Sequence, residues 1–146
     1  VLKQGIIGIV ISFLSTAAIG SDWSINTHGV GVGIQKEQAS DDKVNVMVIT
    51  RNYMAYVIMG FDESYCYDRA MLVNGKGVSF EASFEKSDNK YIKPHACYYM
   101  PKTEKGADYL FNTFIESTEV VVNGNRFSAI GFISVVEQLA SLDEAM

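Results

Sequence analysis

Histidine, proline and cysteine each occur only twice in this chain, and tryptophan once. These scarcities remove several chemistries. A zinc site takes four ligands, commonly in CxxC or HxxxH spacings, and neither spacing is present. Cys66, His95 and Cys97 supply three ligands at most. A Cys–His nucleophile pair, His95 with Cys97, needs a reduced thiol of low pKa. No serine sits in a GxSxG context. Gly29, Gly31 and Gly33 alternate with apolar residues. They match neither GxGxxG opening a helix nor GxxxxGK followed by Ser or Thr. The acidic pairs Asp41-Asp42 and Asp62-Glu63 lie in polar breaks without calcium-loop spacing. No cofactor or metal is called for.

Basic charge is also sparse: 12 Lys and Arg stand against 17 Asp and Glu, and the basic residues form no cluster. Phosphate binding needs such a cluster, so nucleic acid and anionic lipid are disfavoured as partners. There is one long apolar run, Gly5 to Leu14, GIIGIVISFL. Lys3 precedes it and the small residues Ser15 to Ala18 and Gly20 follow. This order is that of a secretory signal peptide, with a cut expected after Gly20. The run is too short for a membrane-spanning helix of about 20 residues. The expected organisation is therefore a signal peptide at 1–20 and a single exported domain at 21–146, periplasmic or secreted.

What the sequence has in quantity is apolar and aromatic surface: 48% hydrophobic residues, with eight Tyr and eight Phe. That suffices for a core and excludes disorder by composition. An even cysteine count in an exported chain predicts one disulfide, Cys66–Cys97. The loop it closes corresponds to roughly 3–4 kcal/mol of chain-entropy stabilisation.

Periodicity along the chain is mostly that of strands. Trp23 to Gln35 alternates with a period of two, and its glycines are expected on an outer face or in a turn near His28. Val44 to Thr50 is rich in β-branched residues and reads as a central strand. Tyr53 to Phe61 follows as a second strand. Tyr65 to Val73 ends at Asn74-Gly75, a signature of a primed hairpin turn, with Val78 to Phe84 as its partner. Lys90 to Met100 gives another strand, which Pro94 assigns to a sheet edge or a bulge. The period then changes. Ala107, Leu110, Phe111, Phe114 and Ile115 fit a helix over about Thr103–Glu116, with Thr103 as N-cap. Val120 to Val122, Asn123-Gly124 and Arg126 to Ile130 predict a second hairpin. Phe132, Val135, Val136, Leu139 and Leu142 predict a C-terminal amphipathic helix over 132–142. The fold class expected is mainly β with α: an antiparallel sheet or β-sandwich covered by one or two helices.

Residues 119–139, EVVVNGNRFSAIGFISVVEQL, resemble the close of the invasion-associated locus B proteins. There a valine-rich strand, a turn, a strand ending in Gly-Phe and a short helix complete a small periplasmic sandwich. Arg126, Phe127, Gly131 and Phe132 occupy the corresponding places. The resemblance implies a noncatalytic β-sandwich and carries over no catalytic residue. The helix from Thr103 and the single cysteine pair depart from the family's pattern.

Seven tyrosines concentrate between residues 53 and 99. Tyrosine serves packed strands and protein interfaces alike, being large with a polar tip. Tyr65, Tyr67, Tyr98 and Tyr99, near the cysteines, are the candidate interface, with one of Tyr98 and Tyr99 facing outward. The function expected is a noncatalytic exported binding or envelope-associated protein with a protein partner, one version being a hydrolase inhibitor. A small exported enzyme using Cys and His, or a structural or assembly component, are the alternatives.

Overall fold

The computed structural model describes residues 22–36, 44–88 and 94–143. The signal peptide expected at 1–20 with its cleavage point, residues 37–43 and the first residues of the strand expected from Lys90 lie outside the described residues. The described residues form nine strands and two helices: β1 Trp23–Ile25, β2 Gly31–Ile34, β3 Val44–Ile49, β4 Met54–Met59, β5 Arg69–Val73, β6 Lys76–Glu85, β7 Ala96–Pro101, α1 Glu104–Glu116, β8 Glu119–Val122, β9 Asn125–Ser128 and α2 Phe132–Asp143. All strand pairings are antiparallel, in the order β1-β2-β3-β4-β7-β6-β5-β8-β9. The mainly antiparallel sheet with a C-terminal covering helix is the expected class.

Both Asn-Gly pairs form the primed turns that their composition demands. Asn74 and Gly75 have φ of 47° and 82°, and Asn123 and Gly124 have 52° and 81°, the left-handed values of a type I′ hairpin. The two turns also hold each other. The Asn74 side-chain oxygen accepts from Val121 N at 2.7 Å, and Asn123 N donates to Leu72 O at 2.9 Å. Helix α1 starts where its cap predicts, with Thr103 Oγ1 accepting from Gly106 N at 2.9 Å.

The sheet curls until its ends meet, giving a near-barrel. Gln35, just past β2, bridges Phe127 of β9. Lys36 N donates to Arg126 O at 2.9 Å, and Asp22 N to Ile130 O at 3.0 Å. A ring of four side chains lies at this seam. Gln35 Nε2 donates to Asn125 Oδ1 at 2.9 Å, and Asn125 Nδ2 to the Tyr56 hydroxyl at 2.8 Å. Tyr56 donates to Asn45 Oδ1 at 3.1 Å, and Asn45 Nδ2 returns to Gln35 Oε1 at 2.8 Å. Each member is both donor and acceptor, so polar groups close to the core are satisfied within the ring. Burial raises the Tyr56 pKa against the lowering effect of the asparagines, which keeps its hydroxyl a proton donor.

Two apolar clusters lie on opposite faces of the strands. The first fills the inside of the curl and takes in both helices through Leu110, Phe114, Phe132, Val135 and Leu139. Trp23 is at its centre, edge-on to Phe114 at 5.6 Å and to Phe132 at 4.9 Å between ring centroids. Its indole N–H donates to Ser128 O at 2.7 Å. The second cluster is built from the other face of β2, β3, β4 and β7, with Val32, Val46, Val48, Val57 and Tyr98 among its members.

Three expectations need correction. β7 is not at an edge: it pairs with β4 on one side and β6 on the other. Pro94 precedes the ladder, which opens at Ala96, and Pro101 is the last strand residue, so neither proline interrupts the pairing. Gly31 and Gly33 are not on an outer face. A Cβ on Gly33 would lie 2.4 Å from the Trp23 indole, and one on Gly31 would lie 2.5 Å from Val135. Their missing side chains are the space into which Trp23 and α2 pack. Finally, the strand expected from Tyr65 begins only at Arg69, and the residues before it form a loop.

Candidate interaction loop

That loop, Asp62 to Asp68, is tied at each end and in the middle. Asp62 caps a 3-10 turn, Glu63–Tyr65, by accepting from Ser64 N at 3.0 Å and from Ser64 Oγ at 3.1 Å. Cys66 is bonded to Cys97 of β7, with the Cα atoms 5.7 Å apart, so the predicted disulfide is present. Asp68 accepts from Ala82 N of β6 at 2.9 Å and pairs with Lys102 at 3.2 Å. Arg69 Nη2 donates to Tyr65 O at 2.9 Å, and its guanidinium lies 4.2 Å from the centre of the Tyr67 ring.

The loop presents two large aromatic side chains to solvent. Tyr65 is 60% exposed and Tyr67 55%. They flank the cysteine whose partner is wholly buried in the sheet. The other two candidate tyrosines are elsewhere. Alternation places Tyr98 and Tyr99 on opposite faces as expected, but Tyr98 is 2% exposed and Tyr99 1%. Neither offers a surface, because β7 is interior and both of its faces are closed. Tyr99 supports the loop from beneath, its hydroxyl 3.5 Å from Tyr65 O. Tyr98 belongs to the second apolar cluster.

The carboxylates of the loop respond to acid in a definite direction. Backbone and side-chain hydrogen bonds from Ser64 hold the Asp62 pKa below its ordinary 3.8. The Ala82 amide, and after it Lys102, do the same for Asp68. A lowered folded-state pKa means that the stabilisation is complete above the ordinary carboxylate value. It is lost as pH falls through the depressed one. The amide proton shifts of Ser64 and Ala82 should therefore titrate with midpoints below 3.8. Midpoints at or above that value would show that these bonds do not hold the loop.

His95 lies in a hollow of about 390 Å³ with Asp62, Glu63, Phe84 and Lys86. Its Nδ1 accepts from Ser87 N at 2.9 Å, and its ring packs on Phe84 at 5.7 Å. Both sulfurs are in the disulfide, so no thiolate stands beside this imidazole and neither cysteine is available as a ligand. Among the described residues no three His, Cys, Asp or Glu side chains gather as a metal site. No helix among them is long and apolar enough to cross a membrane. A second hollow, about 250 Å³, lies between the β3–β4 turn and α1, with Arg51, Tyr53, Glu104, Asp108 and Phe111 in its wall. Sequence reasoning did not find it, since its two walls are some fifty residues apart and carry no common motif.

The chain matches no protein-family model, no curated protein and no solved structure.

Proposed function

We propose that this chain is a noncatalytic exported binding protein whose contact surface is the Asp62–Asp68 loop. One observation carries the reading: Tyr65 and Tyr67 are exposed on either side of a cysteine that is bonded into the sheet. A loop already held in one conformation loses little freedom on binding, so more of its contact energy appears as affinity. Tyrosine supplies large contact area with few rotatable bonds, and centrally placed tyrosines are recurrent hot spots. The absence of a free thiol beside His95 leaves the Cys/His enzyme without its nucleophile. The likeness of residues 119–139 to the invasion-associated locus B proteins favours the same noncatalytic class.

An inhibitor of an envelope hydrolase is the concrete form of the proposal, because a projecting rigid loop fits an active-site cleft. Purified envelope peptidases and muramidases, titrated with the protein, should reveal at least one that is inhibited. Tyr65→Ala and Tyr67→Ala should each weaken that binding by about 2 kcal/mol, roughly 30-fold. Their melting temperatures should stay within a few degrees of wild type, since both side chains are exposed. Inhibition retained in full by the folded double variant would rule the loop out as the contact.

A further inference from the structure

The hollow between the β3–β4 turn and α1 combines an apolar lining with two carboxylates. Ile49, Met54, Pro101, Ala107 and Phe111 supply the apolar wall of its roughly 250 Å³. It adjoins a second hollow of about 190 Å³, which shares Ile49, Arg51 and Phe111 and runs on to Val136 and Leu139 of α2. Phe111 stands between the two, its ring packed against Phe132 at 5.6 Å. Each hollow is smaller than the roughly 300–1,000 Å³ of a pocket for a drug-sized ligand, so an occupant must be small.

Glu104 and Asp108 complete the wall of the first hollow. They are four residues apart on α1, so they share a helix face with Ala107 and Phe111. Like charges at this spacing destabilise a helix. Glu104, in the first turn, recovers something from the helix dipole, whereas Asp108 lies beyond that turn. Among the described residues neither carboxylate takes part in an ion pair or a side-chain hydrogen bond. Arg51, on the facing turn, is already engaged in an interaction. Lys105 is in the wall of a different hollow, with Lys76 and Tyr109. The pair thus adds negative charge to the mouth of an apolar hollow and contributes little to the fold.

We propose that this hollow binds a small amphiphile carrying a primary ammonium group. The apolar body lies against Met54 and Phe111, and the ammonium sits between Glu104 and Asp108. A primary ammonium has three N–H donors and no acceptor, so it can serve both carboxylates at once. The body gains by leaving water for an apolar wall. An anionic amphiphile of the same shape would meet two like charges at the mouth. The site shares no residue with the Asp62–Asp68 loop and does not depend on it.

The test is an NMR titration of the oxidised protein at neutral pH with three probes of one apolar body: hexylammonium, 1-hexanol and hexanoate. Hexylammonium should shift the amides of Thr50–Met54 and Ala107–Phe111 saturably, with a millimolar Kd. Hexanol should bind several-fold more weakly, and hexanoate more weakly still. Glu104→Gln with Asp108→Asn should weaken hexylammonium about tenfold, each exposed carboxylate supplying a factor of roughly two to five, and should leave hexanol unchanged. Both side chains are exposed, so this variant should keep its near-ultraviolet dichroism. Ala107→Leu should abolish binding of both probes by filling the hollow. Tyr65→Ala and Tyr67→Ala should change none of these results, which separates this site from the loop. No saturable binding, shifts centred elsewhere in the chain, hexanoate bound as tightly as hexylammonium, or full affinity in the charge-neutralised variant would each overturn the proposal.

Discussion

Gly33→Ala should cost about 3 kcal/mol or more, at the upper end of overpacking effects, and lower the melting temperature by roughly 10 °C. A methyl group there would meet Trp23 Cε2 at 2.4 Å, Cζ2 at 2.7 Å and Cδ2 at 2.9 Å. Contacts this short require something to move. The indole is poorly placed to do so: Phe114 and Phe132 meet it edge-on, and its N–H is held by Ser128 O. Moving the β2 backbone instead would disturb its ladder with β3, in which Gly33 faces Met47. Thermal melts of Gly33→Ala, of Trp23→Leu and of the double variant form a cycle. The alanine should cost at least 1 kcal/mol less once the indole is gone, a coupling typical of residues in contact. A Gly33→Ala protein that melts within a couple of degrees of wild type would show that Trp23 does not fill that space.

This glycine illustrates what the sequence could and could not disclose. The alternation of Val30, Val32 and Ile34 with glycines is visible, but it does not say which face is inside. A buried glycine and an exposed one look alike until the ring that fills the gap is located. By contrast, the two Asn-Gly turns, the Thr103 cap and the two helices were legible because their signals are local. Backbone conformation at Asn74 and Asn123 is set by neighbours in the chain. The pairing of β7 with β4 and β6 is not local, and Pro94 pointed to an edge because nothing nearby says where the ladder begins. A cue to the double burial did exist. Met54 to Met59, MAYVIM, has no polar residue other than the tyrosine hydroxyl, and such a run marks a strand covered on both faces. Every residue of β4 is indeed buried. The seam ring is illegible in the sequence for the opposite reason. Gln35, Asn45, Tyr56 and Asn125 are unremarkable singly, and only closure of the sheet brings them together.

For the candidate site, the parts are legible in the sequence but their exposure is not. The cysteine pair and the tyrosines around it were identifiable from spacing and composition. Tyr65 and Tyr67 are displayed, whereas Tyr98 and Tyr99 are enclosed. The difference arises from strand length. Arg69 opens β5, so residues 62–68 are free of a ladder and can project. Ala96 opens β7 between two partners, so its side chains are committed to the two faces.

Breaking the Cys66–Cys97 bond should have two separable effects. The residues are 31 apart, and releasing a loop of that size from the unfolded chain corresponds to roughly 3–4 kcal/mol. Cys66→Ala with Cys97→Ala should therefore unfold at a markedly lower denaturant concentration. Reduced wild type should shift in the same direction, without the small void that alanine leaves at the buried Cys97. The second effect is local. With the bond gone, the Asp62–Asp68 loop keeps its Asp62, Asp68, Arg69 and Tyr99 tethers but loses its one covalent link to the sheet. Native-state proteolysis should then cut within 62–68 under conditions where the oxidised protein resists, well below the unfolding midpoint. If the bond merely restricted the unfolded chain, the midpoint would fall and native-state cutting would not change. If it also holds the loop in its displayed form, cutting should accelerate and partner affinity should fall even with Tyr65 and Tyr67 intact. Resistance to cutting in the reduced, still-folded protein would remove preorganisation from the account of binding and leave the disulfide a role in stability alone.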